Sequence, residues 1–222
     1  MLPQRADKHS FLLQSDAYFA QIADDISSQG FSIQKQALPE PLVAMLADYQ
    51  QSMHLGEFSH AGIGREHRFQ EDKTVRKDAI CWIDGTSEAG SMWLSWAEAL
   101  KTYLNRELFM GLFSFESHFA HYAPGAFYKR HLDAFRGQSN RVLSLVTYLN
   151  NDWSDTDGGE LVIYQQPGDK EGMTVLPQRG TVVVFLSEQF EHEVRPALRN
   201  RNSIAGWFRV NSSLNGKIDP PR

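Results

Sequence analysis

The octapeptide YKRHLDAF, Tyr128 to Phe135, places His131 and Asp133 two residues apart, just after a Pro124-Gly125 turn signal. On an extended strand, residues i and i+2 point to the same face, so this imidazole and this carboxylate can reach one metal ion. A third ligand has to come from elsewhere. Among the remaining histidines His192 is best placed, in SEQFEHEVRP directly after the apolar run TVVVFL. Two imidazoles and one carboxylate on one side of an ion leave its other positions open. That suits an iron(II) that must hold a cosubstrate and oxygen together, and it also suits a hydrolytic zinc. An H-x-D tripeptide is common by chance, so its surroundings decide. Arg201 enters the next strand-like run, SIAGWFRV. A guanidinium there can grip a carboxylate through two parallel hydrogen bonds.

The elements that must position these groups follow from periodicity. From Asp16 to Gln29, Phe19, Ile22, Ala23 and Ile26 recur at helical spacing, with Asp16 as a possible cap and Gly30 as the stop. A second helix begins near Pro41 and carries Leu42, Met45, Leu46, Tyr49 and Met53 on one side. Trp96, Leu100, Tyr103 and Leu104 mark a third. After Gly111 the period changes to two: in FSFESHFAHY, Phe113, Phe115, Phe119 and His121 share one face, opposite Glu116, His118 and Tyr122. His118 and His121 therefore cannot chelate one ion. Further strands are expected in RVLSLVTYL, ELVIY, TVVVFL and SIAGWFRV, between Gly, Pro, Asn and Asp clusters. With no helical pattern between them, an antiparallel double sheet is expected, mainly β with α, with the N-terminal helices packed on one sheet. Gly158 and Gly159 read as turn glycines, Asn150, Asp152 and Trp153 as shaping a strand end, and Lys129 and Arg130 as facing solvent.

Composition narrows the classes. The 222 residues are 41% hydrophobic and 22% charged, as in an ordinary globular protein with one sizeable core. A formal charge of −5 argues against a nucleic-acid partner. The basic residues from Arg65 to Lys77 alternate with Glu66, Glu71, Asp72 and Asp78, a solvated mixed-charge surface. Cys81 is the sole cysteine, which excludes an internal disulfide and cysteine-rich metal sites and fits a reducing compartment. No apolar run approaches the roughly 18 residues of a membrane span, so a soluble, cytoplasmic protein is expected. Gly62-Ile63-Gly64 lacks the third glycine of a dinucleotide fingerprint.

The motifs YKRHLDAF, RVLSLVTYLNNDW, GGELVIY, FEHEVRPALRNR and SIAGWF resemble, in the same order, those of the iron- and 2-oxoglutarate-dependent oxygenases. Within that family they are similar to the prolyl hydroxylases of the hypoxia-sensing type and their bacterial relatives, some acting on elongation factor Tu. The upstream VRKDAICWIDG, Val75 to Gly85, looks like the segment that family uses as a mobile loop over its substrate. Lys77 stands there where a glycine is common in the relatives. The resemblance implies a double-stranded β-helix (jelly roll) core at about 111–212, with a helical and substrate-loop part at about 1–110, in a single catalytic domain. It makes His131, Asp133 and His192 the Fe(II) ligands, and pairs Arg201 and Tyr148 with the distal carboxylate of 2-oxoglutarate. Tyr122 would lie near that cosubstrate and Trp207 would wall the pocket. Arg76, Asp78 and Trp82 would belong to the substrate loop. It implies O2 as the oxidant, ascorbate as an auxiliary reductant, succinate and carbon dioxide as coproducts, and a protein proline as substrate, elongation factor Tu foremost. A ribosomal-protein proline and a free amino acid are the alternatives, with a zinc hydrolase and a non-catalytic barrel behind them.

Overall fold

Three helices among the described residues come from the first half of the chain: α1 (Lys8–Gln29), α2 (Glu40–Ser52) and α3 (Glu88–Leu108). The computed structural model describes residues 8–60, 74–134, 140–211, 213–214 and 217–218. The Gly62-Ile63-Gly64 tripeptide, Phe135 and most of the Arg65 to Lys77 stretch, with His67, lie outside them. Helix α1 starts well before Asp16, which is therefore inside the helix rather than its cap. The extra turns have a use: Ser15 is fully buried and accepts the indole N–H of Trp96 on α3 at 2.9 Å. Gly30 ends the helix in the left-handed region (φ +82), its N–H bonded back to the Ile26 carbonyl. Helix α2 opens with Pro41 in its first turn, and α3 with Ser87, whose hydroxyl accepts from the Gly90 N–H at 3.0 Å.

Apart from a small hairpin of Ser213–Leu214 and Lys217–Ile218, the strands among the described residues are β1 (Phe31–Gln34), β2 (Ser59–His60), β3 (Ala79–Trp82), β4 (Leu112–Tyr122), β5 (Tyr128–His131), β6 (Arg141–Tyr148), β7 (Leu161–Tyr164), β8 (Met173–Val175), β9 (Val182–Leu186), β10 (Glu191–Val194) and β11 (Arg201–Val210). They form a seven-stranded sheet, β1-β9-β6-β11-β4-β3-β2, facing a four-stranded sheet, β5-β10-β7-β8. The pairings joining these strands are antiparallel. This is the double-stranded β-helix. The first half of the chain is not purely helical, since β1 and β3 with β2 extend the large sheet at both ends.

Strand alternation separates two cores. Leu143 and Leu145 of β6, Val182 and Val184 of β9, and Ile204 and Phe208 of β11 face the helices, where Trp93 and Trp96 stack at 5.5 Å. Tyr148, Val183 and Phe185 face the space between the sheets. Strand β4 follows the expected faces: Phe119 joins the helical core, while Ala120 and Tyr122 join the inner one. Phe113 is the exception at 42% exposure, because the β4/β11 register shifts at Arg209/Val210 and turns that end of the strand outward.

Candidate active site

The inner face of the barrel orders the site by depth. In the β11 register Arg201 lies opposite Tyr122 of β4, Ser203 opposite Tyr148 of β6, and Trp207 opposite Ser144 of β6. Arg201 and Tyr148 thus mark one end, and Trp207 and Ser144 the other.

His131 and His192 are direct cross-strand partners of β5 and β10, their ring centroids 4.2 Å apart. Asp133 joins them from the bend just after β5, so the expected same-face strand geometry holds only as far as His131. Its carboxylate oxygens stand 3.6 Å from each histidine's Nε2, and the three ligand atoms lie within 4.8 Å of one another. The Nδ1–H of His131 donates to the Lys129 carbonyl at 2.7 Å, and that of His192 to the Phe190 carbonyl at 3.2 Å. A carbonyl can only accept, so Nδ1 is the protonated nitrogen of each neutral ring and Nε2 is the one left to bind a metal at the common point. Burial lowers the His192 imidazole to about 4, with His131 adding to it, which keeps the ring neutral. Burial alone would raise the Asp133 carboxyl, but His192, His131 and the Ser144 hydroxyl outweigh it and hold it well below the usual carboxylate range. Two imidazole Nε2 atoms and one carboxylate form a donor set that fits a divalent transition metal.

Deeper in the barrel, Arg201 is 1% exposed. Its Nε donates to the Gly159 carbonyl at 2.7 Å and its Nη1 to the Ser203 hydroxyl at 3.1 Å, and no carboxylate among the described residues pairs with it. The guanidinium sits 4.9 Å from the Tyr122 ring centroid and 5.1 Å from that of Tyr148. The Tyr148 hydroxyl is buried without a hydrogen-bond partner. Burial pushes that phenol up to about 12, with Arg201 opposing, and burial with Asp78 raises Tyr122 too, so both stay protonated. A buried cation without an anion costs several kcal/mol, and an orphan hydroxyl adds to the deficit. A small carboxylate satisfies both, so the pocket fits the distal end of 2-oxoglutarate.

Several contacts were not legible in advance. Gly159 is more than a turn glycine: at φ +72, a Cβ there would stand 2.8 Å from Ala197 Cβ and 3.2 Å from Arg201 Cδ. Tyr128 stacks on His131 at 3.5 Å, and the Arg76 guanidinium lies 4.3 Å from the centroid of the Tyr128 ring. Arg76 in turn grips Asp78 by two bonds, Nε to Oδ1 at 2.7 Å and Nη2 to Oδ2 at 2.6 Å. Around it the chain is tied to both sheets, by an Arg76/Tyr128 bridge toward β5 and by β3 against β4. Trp82 is 52% exposed, edge-on to His118 at 5.2 Å. His118 faces Trp207 on the inner side, whereas His121 meets Asn202 and Phe58, so the two histidines do diverge. Arg130 does not point freely to solvent: it bonds Glu191 at 2.8 Å and lies 3.6 Å over the Tyr164 ring. Asn150 and Trp153 bond backbone carbonyls of Pro177 and Gly158, at the strand end as expected.

Residues 117–209 match the model of the 2OG-Fe(II) oxygenase superfamily. A prolyl-4-hydroxylase from Pseudomonas putida is 41% identical, with a TM-score of 0.77 over 87% of this chain and 100% of that one. A Trichoplax adhaerens prolyl hydroxylase, solved with a hypoxia inducible factor peptide fragment, is 23% identical at TM-score 0.74 over 92% and 94% of the two chains. A viral collagen prolyl hydroxylase from Paramecium Bursaria Chlorella virus-1 is 14% identical at TM-score 0.58, over 83% and 98%. The last two share the fold.

Proposed function

Because the chain belongs to the 2OG-Fe(II) oxygenase superfamily, in its prolyl hydroxylase type, we propose that it hydroxylates a proline at C4 in a protein substrate, elongation factor Tu foremost. In this reading His131, Asp133 and His192 hold the iron. Arg201 and Tyr148 bind the distal carboxylate of 2-oxoglutarate, with Tyr122 alongside. The metal with 2-oxoglutarate and O2 supplies an oxidative decarboxylation, giving succinate and carbon dioxide, that is coupled to oxidation of an unactivated C–H bond. The chain's own residues orient the cosubstrate, place the target carbon and keep water out of the barrel. One observation carries the reading: a buried Arg201 without a carboxylate partner, beside the orphan Tyr148 hydroxyl, in the same barrel as the His-Asp-His set. A hydrolytic zinc would have no use for that second pocket.

The protein substrate rests on the segment beside the metal. Arg76 and Asp78 lock the chain next to Tyr128, and Trp82 is a half-exposed indole beside His118. A proline suits such a site because its fixed φ lowers the entropy lost when an extended segment is ordered over the metal. Incubating purified elongation factor Tu with enzyme, Fe(II) and 2-oxoglutarate should add one oxygen atom to a single proline-containing peptide. Trp82→Ala should impair that reaction while sparing 2-oxoglutarate binding. No mass increase, together with robust oxidation of a free amino acid, would reject the substrate and leave the oxygenase standing.

A further inference from the structure

We infer that Ser187 and Ser144 form a hydroxyl relay that fixes the orientation of Asp133, making both serines positioning residues for the metal centre. The inference rests on the reading of His131, Asp133 and His192 as metal ligands. Ser144 Oγ donates to Asp133 Oδ2 at 2.6 Å, and Ser187 Oγ lies 2.9 Å from Ser144 Oγ. A hydroxyl has one proton to give. An ionised carboxylate only accepts, so the Ser144 proton is committed to Asp133 and the second bond must be donated by Ser187. The direction Ser187 to Ser144 to Asp133 follows from proton counting alone. With Ser144 1% and Ser187 0% exposed, the chain is shielded from bulk water, where each bond polarises the next.

The fold gives the relay its task. Both histidine ligands sit on the four-stranded sheet, on β5 and β10, with ladder hydrogen bonds to hold their backbones. Asp133 has left β5 for a bend, so the ladder does not set its orientation. Ser144 lies on β6, inside the seven-stranded sheet between β9 and β11, and the Ser187 N–H closes on the Val142 carbonyl at 2.9 Å just past β9. The relay therefore ties the loosest of the three ligands to the stiff middle of the opposite sheet. Outer-shell hydrogen bonds of this kind commonly govern metal affinity.

The test is Mn(II) binding, followed by the electron paramagnetic resonance signal of the free ion, on the full chain without cosubstrate. Ser144→Ala should weaken binding roughly 10- to 100-fold. Ser187→Ala should cause a smaller loss of the same sign, and Ser144→Thr, which restores the hydroxyl, should recover most of the affinity. The metal-free melting temperature, measured alongside, separates the relay from mere packing. If the serines only satisfy each other in the core, both alanine variants lose thermal stability and keep the parent Mn(II) affinity. His131→Ala distinguishes the two levels of the argument. If it binds Mn(II) as the parent does, the ligand assignment fails and the relay with it. If it loses the ion while Ser144→Ala binds normally, or Ser187→Ala costs as much as Ser144→Ala, or Ser144→Thr stays weak, the relay alone is overturned.

Discussion

Replacing Tyr148 by phenylalanine should stabilise the protein and cripple its cosubstrate binding at the same time. The Tyr148 side chain is completely buried, and its hydroxyl has no hydrogen-bond partner although Arg201 lies nearby. An unsatisfied buried polar group costs about 1–3 kcal/mol. Tyr148→Phe removes that cost and keeps the ring, so the cosubstrate-free protein should gain about 1 kcal/mol, or about 2–4 °C in melting temperature for a chain of this size. In the proposed complex with 2-oxoglutarate, the same hydroxyl would donate to a carboxylate, a bond of about 1.5–3 kcal/mol. Its loss should raise the 2-oxoglutarate Kd about tenfold to a hundredfold. The two effects have opposite signs, which a packing defect cannot imitate. Thermal unfolding with and without 2-oxoglutarate reads both: the variant should melt higher alone, and the upshift caused by the ligand should shrink. A variant that melts lower alone and binds 2-oxoglutarate with parent affinity would show that the hydroxyl serves the fold and would refute the reasoning.

Arg201→Ala removes the buried cation that the cosubstrate carboxylate would pair with, a loss of about 3 kcal/mol or more, so the 2-oxoglutarate requirement should rise by about two orders of magnitude. Arg201→Lys should fall between, since it keeps charge but not the paired N–H geometry; parent affinity in both variants would reject the pocket. His118 offers a pH test away from the metal ligands: burial lowers its imidazole from 6.5 to about 4. The unfolded chain therefore binds the extra proton first, and the stability it confers is full above the unfolded value and lost as pH falls through the folded one, about 3 kcal/mol in all. Urea melts across that window should show a shallower pH slope for His118→Gln than for the parent, and parallel slopes would contradict the assignment.

How much of this was legible depended on whether the signal was local. The inner and outer faces of β6, β9 and β11 follow from alternation, because period two is written in consecutive residues such as Val182, Val183, Val184 and Phe185. Strand β10 was hidden: EHEV turns only His192 and Val194 inward, and four residues with two glutamates read as a polar connection. Helix α1 was cut short because the residue that extends it inward, Ser15, is polar and earns its burial by accepting from Trp96, a partner far along the chain. The same distance hid the supports of the site. Gly159 reaches Arg201 and Ser144 reaches both Asp133 and Ser187 only once the sheets are closed.

Alternation tells which face a residue takes, but only register tells how deep it lies. Arg201, Ser203 and Trp207 share one face of β11, so sequence makes them equivalent. Pairing Ser203 with Tyr148 and Trp207 with Ser144 separates them into the end proposed to bind a carboxylate and the end beside the proposed metal ligands. A one-residue slip of β6 against β11 would turn Tyr148 and Ser144 into the helical core together. It would leave Arg201 without its phenol and Asp133 without its hydroxyl in a single step. The proposed cosubstrate pocket and metal centre are therefore not independent features grafted onto a barrel. They are two readouts of one strand register, held on its outer face by Leu143 and Leu145 packing beneath the helices.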